Sequence, residues 1–217
     1  MSIAASPGPI MPAYDAVAFD LLSALMDSWT LWNSVAGSAE NGMRWRKRYL
    51  EITYGCGAYR PYETLVRQAA ADVGLPASCT ASLEAQWGEL TPWQEVPAVL
   101  GRLAARLPLA VATNCSERLG RLAAARAGDV FQVVITAESA RFYKPRPEPY
   151  RAVLEALGTS AKRTLFVAGS ASDVPGAHGV GMPVFWHNRI GLPRGDAEPE
   201  FCEPSLARLT EIALGRD

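Results

Sequence analysis

Short apolar runs bounded by turn residues recur along the chain. The first, Tyr14-Asp-Ala-Val-Ala-Phe-Asp20, closes on a carboxylate, and Leu107 to Asn114, Phe131 to Thr136, Thr164 to Ala168 and Met182 to Trp186 follow it. Runs of this length and content read as buried strands. The stretches between them carry helical periodicity. Val96 to Arg106 repeats apolar residues at Val96, Val99, Leu100 and Leu103, and Ser116 to Arg126 opens on a Ser-Glu cap. Pro147 to Leu157 starts on proline, and Asp173 to Gly179 opens on an acid with Pro175 two places in. Strands alternating with helices predict βαβ units and a parallel sheet. In such sheets ligands sit beyond the carboxyl ends of the strands. Asp20, Thr113, Asn114 and the segment Gly169 to Asp173 fall at those ends, and Lys144 lies in the loop after the third run.

From about Ser28 to Pro92 the rhythm changes. Arg44 to Tyr54, Pro61 to Val73 and Cys79 to Trp87 carry helix formers between Gly or Pro breaks, so an all-helical insert follows the first strand. An insert at that point reads as a cap over the carboxyl edge of the sheet. Residues 1–12 are rich in Ser, Pro, Gly and Ala without Lys or Arg, which predicts a flexible lead-in and no secretory signal; Met11 could serve as a second start.

Composition narrows the class of function. The chain has 217 residues, 49% of them hydrophobic, and 21 basic against 22 acidic residues leave a net charge of −1. That balance favours neither nucleic acid nor an anionic membrane as partner, and no apolar run approaches the roughly 20 residues of a membrane span. Cys56, Cys79, Cys115 and Cys202 are scattered, as expected of reduced thiols in the cytoplasm rather than a zinc site or disulfide framework. Cys115 has no histidine partner in view, and His178 and His187 read as structural.

Several side chains admit two readings on their own. Asp20 fits a satisfied helix cap as well as a nucleophile, since a carboxylate ending a buried strand must be paired or used. Lys144 alone is a surface lysine before a proline turn. Arg46, beside Trp45, Lys47 and Arg48, fits a basic solvent face, and Asp173 fits an N-cap for the helix at Val174.

Taken in order, the carboxylate after the first strand, Thr113-Asn114, Tyr143-Lys144-Pro145 with Tyr150, and Gly169-Ser170-x-x-Asp173 make a pattern that resembles the haloacid dehalogenase superfamily. Trp45-Arg46-x-x-x-Leu50-Glu51 and Asn188-Arg189 bring it nearest to the metal-free 2-haloacid dehalogenases. The resemblance implies a Rossmann-like core at 13–28 and 93–217 with a helical cap at 29–92. It implies Asp20 as nucleophile, Lys144 as the cation that keeps it ionised, and Asp173 as the group that holds Lys144 or positions the hydrolytic water. Arg46 and Asn114 would receive the halide and Thr113 the substrate carboxylate, with Leu22, Tyr150 and Ser170 completing the substrate and water site.

Position 22 separates branches of the superfamily. The phosphatases carry an acid there to protonate a departing alkoxide; a halide, a very weak base, needs no proton, so Leu22 removes phosphate-ester chemistry and leaves carbon–halogen cleavage. The magnesium-dependent relatives also carry an Asp where this chain has Gly169, so no metal and no cofactor are expected. Four further positions depart from the dehalogenase pattern: Ala24 stands for a supporting Thr, Ala168 for a Ser, Ser170 for an Asn and Ser172 for a Trp. Ser23, next to Ala24, is expected to point elsewhere. The expected substrate is a small carboxylate, and a homodimer is the assembly that relatives of this type often form. Two rival readings stay open: a hydrolase with another leaving group, such as the ring nitrogen of a small cyclic amino acid, which would need a proton donor near the cap, and a weak or vestigial binding protein.

Overall fold

The computed structural model describes residues 12–215, so the lead-in expected over 1–12 lies outside them but for Pro12. The first run forms β1 (Ala16–Phe19), wholly buried, and the chain after it turns into helices: α1 (Ser28–Val35), α2 (Ala39–Gly55), α3 (Tyr62–Asp72) and α4 (Ala77–Ala85). It then alternates through α5 (Val96–Ala104), β2 (Leu109–Thr113), α6 (Glu117–Ala127), β3 (Val133–Thr136), a short α7 (Ala137–Ala140) and α8 (Pro147–Leu157). β4 (Thr164–Ala168), α9 (Asp173–Gly179), β5 (Val184–His187), β6 (Phe201–Glu203) and α10 (Leu209–Leu214) complete it.

The six strands form one parallel sheet in the order β3-β2-β1-β4-β5-β6. β1 is central, with Val17 opposite both Leu109 and Leu165. The chain moves outward from β1 to β3 and then returns to the other side of β1 at β4. The switch point therefore lies between β1 and β4, where a crevice opens beyond the strand ends. Alternate residues of each strand face opposite ways. Val17, Phe19, Val111 and Val167 join one core with α5, α6, α10 and the inserted helices, while Ala18, Ala112, Phe166 and Ala168 join a second with α8 and α9. Among the described residues, no helix is long and apolar enough to cross a membrane.

The sequence pattern placed five of the six strands, β1 to β5. α8 and α9 begin and end where the sequence put them. Three differences stand out: α1, inside the stretch read as all-helical, had no bounds of its own while α7 and α10 were not foreseen, α2 starts at Ala39 rather than Arg44, and β6 adds an edge strand.

Candidate active site

At the end of β1 Asp20 is 7% exposed, and both its side-chain oxygens are engaged. Oδ1 accepts from Lys144 Nζ at 2.8 Å; Oδ2 accepts from Ser23 N at 3.2 Å, Ser23 Oγ at 3.1 Å and Ala24 N at 3.3 Å. Ser23 thus does not point elsewhere: the turn brings its hydroxyl back onto the carboxylate. Lys144 is buried between two carboxylates, its Nζ also lying 3.1 Å from Asp173 Oδ1 and 3.2 Å from Oδ2. Burial alone would raise the Asp20 pKa, but the Lys144 charge and the bonds from Lys144 and Ser23 outweigh it and hold it below the ordinary value. Burial, reinforced by the Asp20 charge, pushes Asp173 up to about 6 against the pull of Lys144. Lys144 itself is raised: the two carboxylates overcome its desolvation and keep it charged.

Asp173 is the first residue of α9 and not its cap; Ser172 holds the cap position. Its carboxylate is turned to Lys144 and to Tyr150, whose hydroxyl donates to Oδ1 at 3.1 Å. Tyr150 is fully buried and does not line the cavity described below. α8 packs against the sheet with Tyr150 edge-on to Phe166, and from there the hydroxyl reaches only the back of Asp173. Asn114 pairs with the Lys144 backbone in both directions, Oδ1 accepting from Lys144 N at 2.7 Å and Nδ2 donating to Lys144 O at 3.0 Å. One amide hydrogen of Asn114 remains for a ligand. The Lys144–Pro145 bond is cis.

Above this floor lies a cavity of about 70 Å³, room for a few heavy atoms on a scale where one water takes about 10–15 Å³. Asp20, Leu22, Thr113, Asn114, Lys144, Ser170 and Asp173 line its sheet side. Arg46 lines the other, only 7% exposed, its guanidinium 3.9 Å from the centre of the Trp29 ring and Nη1 donating to Ser28 Oγ at 2.6 Å. Burial lowers the Arg46 pKa from the ordinary arginine value. Arg48, two residues on, is exposed and ion-paired with Asp72 and Glu51. Thr113 Oγ1 donates to Cys115 Sγ at 3.4 Å, and burial pushes that thiol up to about 12, so it is protonated and no nucleophile. Ser116 caps α6 as expected, accepting from Leu119 N.

Trp29, Tyr49, Tyr54 and Leu192 also line the cavity and were not singled out from the sequence. Tyr49 and Tyr54 lie three and eight residues after Arg46 on α2, a spacing that puts them on the Arg46 face, so the helical period held that signal. Tyr49 donates to Asn114 O at 2.7 Å, tying the insert to the sheet. Burial pushes the Tyr54 hydroxyl up to about 12. Trp29 and Leu192 come from outside the motifs and left no such signal.

A magnesium ion, which the superfamily's phosphatases use, does not fit these residues. A side chain at Gly169 would place its Cβ 2.4 Å from Ala24 N and Ser23 Oγ and 2.7 Å from Asp20 Oδ2, so the turn has no space for a ligand there. The Lys144 ammonium stands between the carboxylates of Asp20 and Asp173 and leaves no place for a second cation between them.

A family model described as haloacid dehalogenase-like hydrolase matches residues 14–181. The chain is 30% identical over 219 residues to the (S)-2-haloacid dehalogenase of Pseudomonas sp. (strain YL), an alignment covering 90% of this chain and 93% of that one. It is 28% identical over 225 residues to haloacetate dehalogenase H-2 of Moraxella sp. (strain B), covering 93% and 99%. Its fold matches the structure of L-2-haloacid dehalogenase from Xanthobacter autotrophicus with chloropropionic acid covalently bound, with a TM-score of 0.80 at 24% identity over 92% of this chain and 98% of that one.

Proposed function

Because this chain belongs to the haloacid dehalogenase-like hydrolases, we propose that it cleaves the carbon–halogen bond of small 2-haloacids through an ester on Asp20. The observation that carries this reading is the buried Asp20–Lys144–Asp173 trio on the floor of a small cavity roofed by Arg46. An ionised carboxylate is a competent nucleophile at saturated carbon. One Asp20 oxygen attacks the α-carbon from the side opposite the halogen. The halide leaves with the bonding electrons toward Arg46 and the free amide hydrogen of Asn114, and the configuration at the α-carbon inverts. Thr113 and neighbouring backbone N–H groups receive the substrate carboxylate.

Water then attacks the carbonyl carbon of the Asp20 ester. Asp173, with a pKa near 6, is mostly ionised at neutral pH and takes the water proton, with Ser170 at hand to orient the water. Lys144 stabilises the charge that grows on the ester oxygen. The acyl C–O bond breaks, one water proton passes to the departing alkoxide to give the 2-hydroxy acid, the second is released to solvent, and the Asp20 carboxylate re-forms with one oxygen from water. No step needs an acid at position 22, where Leu22 only shapes the cavity.

Tyr54 supports one second reading. It is a neutral O–H donor on the insert's side of the cavity, as a nitrogen leaving group would require. Halide release from a panel of 2-chloro- and 2-bromoacids, run beside ring opening of small cyclic amino acids, separates the two; ring opening without halide release would replace the first reading with the second. We further read 29–92 as the cap and 13–28 with 93–217 as the core, in a cytoplasmic homodimer, an assembly that light scattering tests.

A further inference from the structure

Two backbone N–H groups, those of Ser23 and Ala24, donate to Asp20 Oδ2. In a trans peptide the N–H and the carbonyl of the preceding residue share one plane and point in opposite directions. The aim of each N–H is therefore set by whatever grips the carbonyl behind it. Behind the Ala24 N–H is the Ser23 carbonyl, which accepts from Trp93 Nε1 at 3.2 Å. Behind the Ser23 N–H is the Leu22 carbonyl, which accepts from Ser28 Oγ.

The Ser28 hydroxyl has a second partner, since it accepts from Arg46 Nη1 at 2.6 Å. A carbonyl only accepts and a guanidinium only donates, so the hydroxyl has a single consistent orientation, its proton to Leu22 and a lone pair to Arg46. Helix capping does not need this hydroxyl: Asp27 caps α1, its Oδ1 accepting from Thr30 N at 3.1 Å. Ser28 is fully buried and does not line the cavity.

We propose that Ser28 is a positioning residue that sets Asp20 and Arg46 relative to each other, one hydroxyl bridging the peptide that aims the nucleophile and the guanidinium across the cavity from it. It acts through those two groups and touches no substrate. The inference rests on the reading of Asp20 as nucleophile and Arg46 as halide site, while Ser28 itself belongs to none of the motifs that led to them.

The test uses Ser28→Ala and Ser28→Cys, the latter keeping most of the volume with only a weak donor. The first readout is the carboxyl titration of Asp20 in the free protein by carbon-13 NMR, which needs no turnover. Lys144, Asp173, Arg46, Tyr150 and Cys115 face Asp20 from the surrounding elements. Lys144, Asp173, Tyr150 and Cys115 make no bond to Ser28, so a shift reports the loosened Leu22 peptide together with the released Arg46 guanidinium. Removing the grip on Leu22 weakens the Ser23 bond to the carboxylate, and the Asp20 pKa should rise by roughly half a unit to one unit. The second readout is halide release: kcat should fall roughly 10- to 100-fold with KM nearly unchanged. In an Arg46→Lys background the Ser28→Ala effect should shrink, because residues acting as a unit are not additive. A folded Ser28→Ala with the parent's titration and kcat overturns the proposal, as does a rise in KM alone. Should Ser28→Ala not fold, Ser28→Cys carries the same measurements; loss of folding in both marks the residue as structural and overturns the proposal as well. If the parent releases no halide from any 2-haloacid, the dehalogenase reading fails, but the titration still decides whether Ser28 governs Asp20.

Discussion

Arg46 and Arg48 stand two positions apart on α2 and meet opposite surroundings. Arg46 is buried over Trp29 at the cavity wall, while Arg48 is exposed on Asp72 and Glu51. A buried donor facing the charge that grows on a leaving halide contributes a few kcal/mol, and its removal costs roughly 10²–10³ in kcat. Arg46→Ala should show that loss, and Arg46→Lys should also be badly impaired because an ammonium lacks the planar fork. Arg48→Ala should turn over within about twofold of the parent, as an exposed ion pair contributes little. Halide release beside unfolding curves checks all three; parent-like turnover by Arg46→Ala would move the halide site elsewhere. Asp173 gives a pH test. With its pKa raised to about 6, it loses its charge as the pH falls through 6, and with the charge its capacity as a base. Asp20 is held low and Lys144 high, so both stay charged across that window. The kcat profile should therefore rise with pH around 6 and then flatten. Asp173→Asn should lose that limb, slow ester hydrolysis roughly 10²- to 10⁴-fold, and let the ester on Asp20 accumulate to a level that intact-protein mass spectrometry detects. A profile flat down to pH 5 would remove Asp173 from the base role.

The turn after β4 is an element whose sequence and space agree. Gly169 sits against the backbone of Ala24 and the oxygens of Ser23 and Asp20, so Gly169→Ala must push the nucleophile loop aside. Overpacking of this kind costs about 1–3 kcal/mol of stability, visible by chemical unfolding, and the displaced Asp20 should lower halide release. Gly169→Asp, which restores the magnesium ligand of the phosphatase pattern, should be worse and gain nothing from added magnesium; magnesium-dependent phosphatase activity in that variant would show that the turn can open. β1, β2, β4 and β5 were legible because each is an apolar run buried along its whole length, β3 because Val133-Val134-Ile135 is apolar even at the half-buried edge, and α8 and α9 because proline marks their first turns. β6 was not, since its three residues are half-buried at the sheet edge and include Glu203. The start of α2 was missed because Asn41-Gly42 reads as a turn. Gly42 is nevertheless helical, and a Cβ there would lie 2.9 Å from Asn33 Cα. Close packing of α1 on α2 excludes a side chain at that position, a tertiary cause that local propensity does not carry.

At the scale of the whole molecule, the site exists because one sheet gathers four strand ends and one insert closes over them. The strand-end residues could be named from the sequence, as parallel topology sends each of them to the same edge. Their fine geometry could not. The turn at Ser23 brings the hydroxyl onto Asp20 where the residue pattern suggested otherwise, and Tyr150 serves Asp173 from behind because α8 packs under it. Trp29 and Leu192 converge only through tertiary folding. The central claim is that Asp20 forms an ester whose carbonyl, and not the substrate carbon, is attacked by water. A single turnover of enzyme in excess over a 2-haloacid in heavy-oxygen water, followed by peptide mass spectrometry, tests it most directly. The account predicts one heavy oxygen in the peptide carrying Asp20 and none in the hydroxy-acid carbon–oxygen bond after that turnover. Label in the hydroxy acid with an unlabelled Asp20 would contradict it.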